Sequence, residues 1–207
     1  MNTKTNAQQG IPELLAFTAA GAEAVDRLHR QLEESADEAK ILDVAYTMMD
    51  TPVGTLLLAA TERGLLRVAF EVEGLDKVLD ELGRKFSPRI LRSPKRLDVA
   101  AFEIDEYFVR RRTSFDLALD FSLTSGFRQT VQRFLPQIAY GTTESYKHVA
   151  ALVGNPKAIR AVGSACATNP LPIVVPCHRV LRTNGELGGY LGGLAMKAAL
   201  LKLEGAA

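Results

Sequence analysis

The stretch Ile173–Val180, which reads IVVPCHRV, decides how the second half of this chain is interpreted. Its apolar start predicts a short buried strand. Pro176 has no N–H to donate to a sheet ladder, so we expect the strand to stop there and the chain to turn. The turn would place the thiol of Cys177 at the edge of a core, directly beside His178.

Two interpretations of Cys177 compete. Most free cysteines are small buried residues without chemistry. A thiol is a good nucleophile only as a thiolate, which needs a nearby base, a cation or a helix N-terminus, and His178 and Arg179 offer the first two. The Cys-His pair alone favours the structural interpretation, so the surrounding sequence has to decide.

The composition excludes several classes of protein. The 207 residues suffice for one large or two small domains, and 24% charged with 47% hydrophobic residues is typical of a soluble globular protein. No apolar run approaches the ~20 residues of a membrane span, and the polar, charge-interrupted first segment leads us to expect no secretory signal. The histidines and cysteines lack zinc-ligand spacing, so we expect no metal. Cys166 and Cys177 are not expected to pair, which fits a reducing cytoplasmic setting.

The charge is unevenly distributed along the chain. Residues 1–121 carry 16 Lys and Arg against 21 Asp and Glu, whereas residues 122–207 carry nine against three. A basic half beside an acidic one indicates that the second half faces a polyanion. Charge also fluctuates by chance along any sequence, so this difference does not by itself establish DNA binding.

The first 121 residues predict a helical extension followed by an α+β domain. Residues 1–40 contain a helical pattern over 11–39, which we expect Gly21 to interrupt. Residues 41–121 alternate between strand and helix patterns. The expected strands are 44–49, 55–60, 65–70 and 114–119, and the expected helices are 75–86 and 97–109.

Residues 122–207 predict a mostly helical domain. The expected helices are 126–139, 145–153, 156–167 and 195–203. The turn at Gly154-Asn155-Pro156 joins two of them as in a helix-turn-helix. The helix over 156–167 is made of small side chains, which suits a close approach to the narrow minor groove or, equally, tight packing in a core.

Several of these segments together resemble one family, the O6-alkylguanine-DNA alkyltransferases. The matching segments are Pro176–Val180, Asn155–Gly163 and Gly188–Gly193. The resemblance implies an α+β fold with a small ribonuclease H-like domain, followed by a winged-helix/helix-turn-helix domain. It also implies irreversible, stoichiometric transfer of an alkyl group from O6-alkylguanine in DNA to Cys177, after nucleotide flipping through the minor groove. Neither a cofactor nor a metal is needed.

The resemblance assigns catalytic roles to four residues. Cys177 is the nucleophile, His178 accepts its proton and Glu204 orients the imidazole. Asn169 corresponds to a hinge asparagine that bonds the turn carrying the cysteine. Taken without the resemblance, Asn169 would be an ordinary helix end and Glu204 a solvated surface residue.

It also assigns residues to DNA and to the modified base. The expected DNA contacts are Tyr146, Lys157, Ala158, Arg160, Ala161 and Gly163, with Arg160 filling the gap left by the flipped nucleotide. The expected substrate contacts are Tyr146, Val180, Tyr190 and Leu191. Leu191 is bulkier than the residue common there in relatives, and Gln132 replaces a common tryptophan.

The expected partner is double-stranded DNA containing O6-alkylguanine. We expect a monomer without membrane contact, and the sequence leaves cooperative binding along DNA open. The sequence leaves two other functions open. A cysteine hydrolase would turn over, and a DNA-damage sensor or regulator would use the predicted helix-turn-helix without Cys177.

Overall fold

The computed structural model describes residues 41–206 without a break, and residues 21, 24–25, 27–29, 31–33, 35–36 and 39 before them. Residues 1–42 and 43–207 form two separate units. Every described position from 21 to 36 is helical, including Gly21, and Val25, Leu28 and Leu32 are exposed. The predicted helix is therefore confirmed at the described positions from 21 to 36, whereas residue 39 lies in a turn. The part at 11–20 and the immediate neighbours of Gly21, where an interruption was expected, lie outside the described residues.

The second unit begins with a four-stranded sheet in the order β3-β2-β1-β4. The strands are β1 (Val44–Thr51), β2 (Gly54–Thr61), β3 (Gly64–Phe70) and β4 (Ile90–Arg92), and β4 pairs parallel to β1 while the other pairings are antiparallel. The three long strands confirm the sequence prediction, and β4 was not predicted. Three residues are too few for a strand pattern to emerge.

Two helices accompany this sheet, as predicted. They are α1 (Leu75–Lys85) and α2 (Asp98–Phe108). Val78 and Leu82 of α1 pack on Leu57, Leu66 and other apolar residues of the sheet. α2 buries Ile104 and Tyr107 completely.

The strand predicted over 114–119 is wrong apart from one isolated bridge between Leu65 and Leu119. The backbone N–H of Asp116 donates instead to the side chain of Glu103, so a ladder does not form there. β3 is the edge strand, and its outer side exchanges hydrogen bonds with this segment: Leu65 N donates to Ala118 O, and Asp120 N donates to Leu65 O.

The remainder of the unit is helical around a small two-stranded sheet. Its helices are α3 (Gly126–Phe134), α4 (Tyr146–Leu152), α5 (Ile159–Ala167) and α6 (Gly193–Glu204), and its strands are β5 (Glu144–Ser145) and β6 (Val180–Leu181). α3 ends before the predicted residue 139 because Pro136 changes the chain to a 3-10 turn over Leu135–Gln137. α5 begins at Ile159 rather than Pro156, since 156–157 form a turn that Ala158 N closes on Asn155 O.

The strand predicted over Ile173–Val175 is also wrong, although its side chains are buried as expected. The segment is a turn in which Val175 N donates to Leu171 O, 2.7 Å away. Ile173 has a φ of 73°, a left-handed conformation that is rare for a β-branched residue. Backbone groups satisfied within the turn have no need of a sheet partner. No helix in the described part of the chain is long and apolar enough to cross a membrane.

Candidate active site

Cys177 opens a single 3-10 turn, Cys177–Arg179, immediately after Pro176. Arg179 N donates to Pro176 O at 3.0 Å and closes the turn, so the predicted change of direction at the proline is confirmed. The Cys177 side chain is almost completely buried. The thiol therefore lies inside the protein, where its protonation depends on a few fixed neighbours.

Asn169 connects the end of α5 to this turn. Its side-chain Nδ2 donates to Val175 O at 2.8 Å and lies 3.2 Å from Sγ of Cys177, while its Oδ1 accepts from Leu171 N at 3.1 Å. Asn169 is fully buried. The amide thus fixes both the shape of the turn and a hydrogen bond to the sulfur.

Glu204, the last residue of α6, is the centre of a buried hydrogen-bond cluster. It accepts from His178 Nε2 at 2.8 Å, from Arg179 Nε at 2.8 Å and from the Tyr107 hydroxyl at 2.7 Å. A backbone N–H, that of Gly141, lies 3.3 Å from Oε2. Burial raises the pKa of Glu204, but the hydrogen bonds from His178, Arg179 and Tyr107 outweigh it and lower the pKa to about 2.

The protonation of His178 follows from this carboxylate. Burial lowers the pKa of His178 in spite of the opposing effect of Glu204, so the imidazole is neutral near neutral pH. An ionised carboxylate can only accept, so Nε2 carries the proton and Nδ1 is left as a base. Within the described residues, this buried Nδ1 has no hydrogen-bond partner.

The Cys177 thiol is protonated in this state. Burial raises the pKa of Cys177 to about 11, against the lowering effects of the Asn169 hydrogen bond and the Lys197 charge. Reaction at neutral pH therefore requires a base to remove the proton. His178 Nδ1 is the available base next to it in sequence.

Lys197 is a member of the site that the sequence analysis missed. It is completely buried, its Nζ donates to Val180 O at 2.6 Å, and the ammonium lies 5.8 Å from the centroid of the Tyr146 ring. Burial lowers the pKa of Lys197, whereas the nearby thiols raise it. A signal existed in the sequence: Lys197, Leu200, Leu201 and Glu204 fall on one face of a helix, and two charges on an otherwise apolar face are unusual.

Arg179 and Tyr107 also act differently from the sequence expectation. Arg179 was considered as a cation for the thiol, but its guanidinium binds Glu204 and the carbonyl of Ile138. Tyr107 comes from the first half of the chain, in which no active-site residue was expected. No local pattern could have identified it, because it lies 97 positions from its partner Glu204.

Tyr146 begins α4, and Ser145 caps that helix by accepting from His148 N. The Tyr146 hydroxyl packs so closely on Gly188 that a Cβ there would overlap it. Burial raises the pKa of Tyr146 to about 12, with further contributions from the two thiols. The phenol is thus protonated and able to donate.

The other expected substrate residues surround the same region. Val180 lies in β6 and offers its carbonyl to Lys197. The ring of Tyr190 is 6.4 Å from that of His178, and its buried hydroxyl has no partner among the described residues. Leu191 lines a cavity of about 560 Å³ together with Asn169 and Pro170.

Comparisons with known proteins place this geometry in a family. Residues 44–121 match the model described as the ribonuclease-like domain of 6-O-methylguanine DNA methyltransferase, and residues 126–206 match the model of its DNA binding domain. The chain belongs to the O6-alkylguanine-DNA alkyltransferase family.

Individual relatives agree with this assignment. A methylated-DNA–protein-cysteine methyltransferase of Methanosarcina barkeri is 38% identical over 159 residues, covering 77% of this chain and 96% of the relative. The protein of that name from Rattus norvegicus is 35% identical and covers 81% and 85%. The crystal structure of Mycobacterium tuberculosis OGT in complex with DNA is 36% identical, with a TM-score of 0.67 over 78% of this chain and 93% of that one.

The surface expected to bind DNA in this alkyltransferase fold lies on α5. Val162, Ala165 and Cys166 are buried, whereas Arg160 and Ala161 are exposed and Gly163 is partly exposed. Lys157 and Ala158 precede the helix instead of beginning it. The exposed face consequently combines small side chains with the long side chains of Ile159 and Arg160. These side chains are exposed, whereas those of Cys177, His178 and Glu204 are buried.

Proposed function

We propose that this protein repairs DNA by transferring an alkyl group from O6 of guanine to Sγ of Cys177. The observation that carries the proposal is the buried hydrogen bond between His178 and Glu204, beside the buried free thiol of Cys177, with His178 Nδ1 left without a partner among the described residues. This is the logic of a nucleophile activated by an oriented base.

The transfer step balances with groups present in the site. His178 Nδ1 takes the Cys177 proton, through a water if the adjacent side chains do not meet, and Glu204 stabilises the resulting imidazolium. The sulfur attacks the alkyl carbon as the bond from that carbon to O6 breaks. The electron pair leaves with guanine, which Tyr146 can protonate. The product thioether resists hydrolysis, so each chain reacts once.

The modified base has to leave the DNA double helix to reach this thiol, because O6 is inaccessible within a stacked duplex. We propose that α5 and the turn before it enter the minor groove. Lys157, Ala158, Ala161 and Gly163 would contact the DNA there, and Arg160 would fill the gap that the flipped nucleotide leaves in the base stack. Tyr146, Val180, Tyr190 and Leu191 would surround the flipped base. Small side chains suit a groove only ~6 Å wide.

The decisive experiment is to weigh the intact protein after incubation with duplex DNA containing O6-methylguanine. The proposal requires one added methyl group, located at Cys177 by peptide mass spectrometry. Demethylation of DNA with turnover and without an adduct would instead indicate hydrolysis. Binding without either result would indicate a damage sensor.

The role of Arg160 can be tested separately with Arg160→Ala. If the guanidinium fills the gap in the base stack, repair of duplex DNA should slow strongly while reaction with free O6-benzylguanine barely changes. Lys157→Ala is a matched control, because it removes one neighbouring cation. Full recovery of the Arg160→Ala rate at saturating protein would leave Arg160 as a phosphate contact.

We further propose a division of the chain into an extension (1–40), a supporting domain (41–121) and a reaction domain (122–207). We also propose that the protein is a cytoplasmic monomer whose thiols stay reduced. The residues assigned to the site, including Tyr107, all lie beyond residue 40. Removing residues 1–40 should therefore leave alkyl transfer nearly unchanged in a variant whose circular dichroism shows that it is folded. A large loss of transfer would contradict this division.

A further inference from the structure

The outer edge of β3, beyond its contacts with residues 118–120, is attached to the loop that carries Asn169. Pro170 O accepts two hydrogen bonds from β3, from Val68 N at 2.8 Å and from Arg67 Nη1 at 3.2 Å. Arg67 Nη1 also donates to Val68 O at 2.8 Å. Pro170 follows Asn169 directly, so the strand holds the residue next to the one that contacts Cys177 Sγ.

Glu73 fixes the Arg67 side chain in this position. It forms an ion pair with Arg67 Nη2, and its Oε1 accepts from Phe70 N at 2.9 Å. Both side chains are largely buried, at 12% and 13% exposure. A planar guanidinium that serves two carbonyls and a carboxylate at once has little freedom, and a lysine could not reproduce the arrangement.

The same end of β3 also supports the second loop of the site. The Phe70 ring lies 5.6 Å from that of Tyr190, which in turn lies 6.4 Å from His178. Arg67, Glu73 and Leu191 line one cavity together with Asn169 and Pro170. Two loops from the reaction domain therefore meet one short segment of the supporting domain.

We propose that Arg67 and Glu73 are positioning residues for alkyl transfer, holding the Asn169–Pro170 segment so that the Asn169 amide donates to Sγ of Cys177. The proposal rests on the proposed function for its consequence in repair. A hydrogen bond to sulfur that depends on an amide 3.2 Å away is sensitive to small displacements of the loop. The supporting domain would thereby influence the thiol without touching it.

The thiol's ionisation is the readout that separates positioning from a purely structural role. The titratable groups that interact with Cys177 include Tyr146, Cys166, Tyr190 and Lys197, and Glu73 interacts in turn with Tyr190. The Asn169 hydrogen bond lowers the pKa of Cys177. Asn169 is next to the loop carbonyl that Arg67 binds, so a displacement of that loop should weaken this hydrogen bond and raise the pKa of Cys177.

The first test compares Arg67→Met with the unaltered protein. Two rates are measured against pH: methyl transfer from saturating duplex DNA containing O6-methylguanine in a single turnover, and carboxamidomethylation of Cys177 by iodoacetamide, followed by mass spectrometry. We expect both to fall about fivefold or more at neutral pH, the factor for loss of one ordinary hydrogen bond, and both profiles to move to higher pH. Arg67→Lys should give intermediate values.

Arg112→Met is the matched control. Arg112 pairs with Glu103 and Glu106, and the side chains of Arg112 and Glu103 are 24% and 7% exposed. The substitution therefore removes a similarly buried ion pair that does not involve the Asn169 loop. It should lower Tm without moving either profile. If Arg67→Met fails to fold, Glu73→Gln is measured instead, because its amide keeps the shape and removes the charge.

A double-mutant cycle with Asn169→Ala completes the test. If Arg67 acts through Asn169, Arg67→Met should add little to the effect of Asn169→Ala. Additive effects, or profiles that match the Arg112→Met control, would overturn the proposal. If the unaltered protein takes no methyl group from DNA but Arg67→Met still moves the iodoacetamide profile, the proposed function fails, while the positioning of Asn169 against Cys177 Sγ by Arg67 stands.

Discussion

Glu204 and Cys177 are both acids buried in the same site, yet they have opposite protonation states. Glu204 receives hydrogen bonds from His178, Arg179 and Tyr107, and its pKa is lowered to about 2. Cys177 receives one side-chain hydrogen bond within the described residues, from Asn169, and its pKa is raised to about 11. Burial raises both pKa values. The two groups already differ in their ordinary pKa, about 4.5 for the carboxyl and about 9 for the thiol, and the several donors around Glu204 widen that difference.

The difference assigns a separate task to each acid. A permanently ionised carboxylate fixes the tautomer of His178 and can stabilise the imidazolium that forms during the reaction. A protonated thiol is inert towards adventitious electrophiles until His178 removes its proton. The site therefore stores its negative charge on Glu204 and creates a second one on sulfur only during transfer.

The largest expected effect is that of Cys177→Ser. A serine hydroxyl is far less acidic than a thiol, so it cannot become a nucleophile with the same base, and transfer should be abolished. Intact-protein mass after incubation with O6-methylguanine DNA checks this, and binding to that DNA should persist. Cys166→Ser is the control and should remain active; an adduct on Cys166 would disprove the assignment.

Glu204→Gln should have the next largest effect, because it removes the charge that orients and stabilises His178. Single-turnover transfer should slow by roughly 10- to 100-fold near neutral pH. An unchanged rate across pH would show that the carboxylate does not take part.

The same variant should also change the response of stability to acid. A carboxyl group whose folded pKa is depressed stabilises the protein above its unfolded pKa of about 4.5, and this contribution is lost as pH falls towards 2. It amounts to roughly 2–4 kcal/mol. Denaturant unfolding between pH 5 and 2 should show this loss in the unaltered protein and its absence in Glu204→Gln.

Lys197→Met tests the Cys177 side of the comparison between the two buried acids. The ammonium lowers the pKa of Cys177, so its removal should raise that pKa and shift the rate profile to higher pH. We expect transfer to be about tenfold slower at neutral pH, the effect of one pKa unit, and to recover partly in alkaline solution. Lys202→Met, an exposed neighbour on α6, is the control. Equal slowing at every pH would indicate lost packing instead.

The smallest expected effect is that of Tyr107→Phe, which removes one donor from Glu204 and keeps the ring. The pKa of Glu204 should rise while remaining well below neutrality, so transfer should change by less than about threefold. The acid-induced loss of stability should begin at the same pH as in the unaltered protein, near the unfolded pKa of Glu204, but it should be smaller and complete at a higher pH. A transfer rate as low as that of Glu204→Gln would contradict the view that several donors share this task.

Sequence patterns predicted the long elements better than the short ones. β1–β3 and α1 have regular alternation or helical spacing, so their positions were predictable. The isolated bridge at Leu119, the three residues of β4 and the turn at Ile173 depend on hydrogen bonds to distant partners, and a short apolar run gives the same pattern for a strand and for a buried turn.

The sequence by itself determined the identity of the reacting groups. It places Cys177 beside His178 and after a proline, gives α5 its small side chains, and ends α6 on Glu204. Only the tertiary structure decided how far their pKa values depart from the ordinary ones. Tyr107 and Arg179 reach Glu204, and Lys197 and Asn169 reach Cys177, from separate parts of the chain. A pKa depends on the burial and donors around a group in space, and a linear pattern does not contain either quantity.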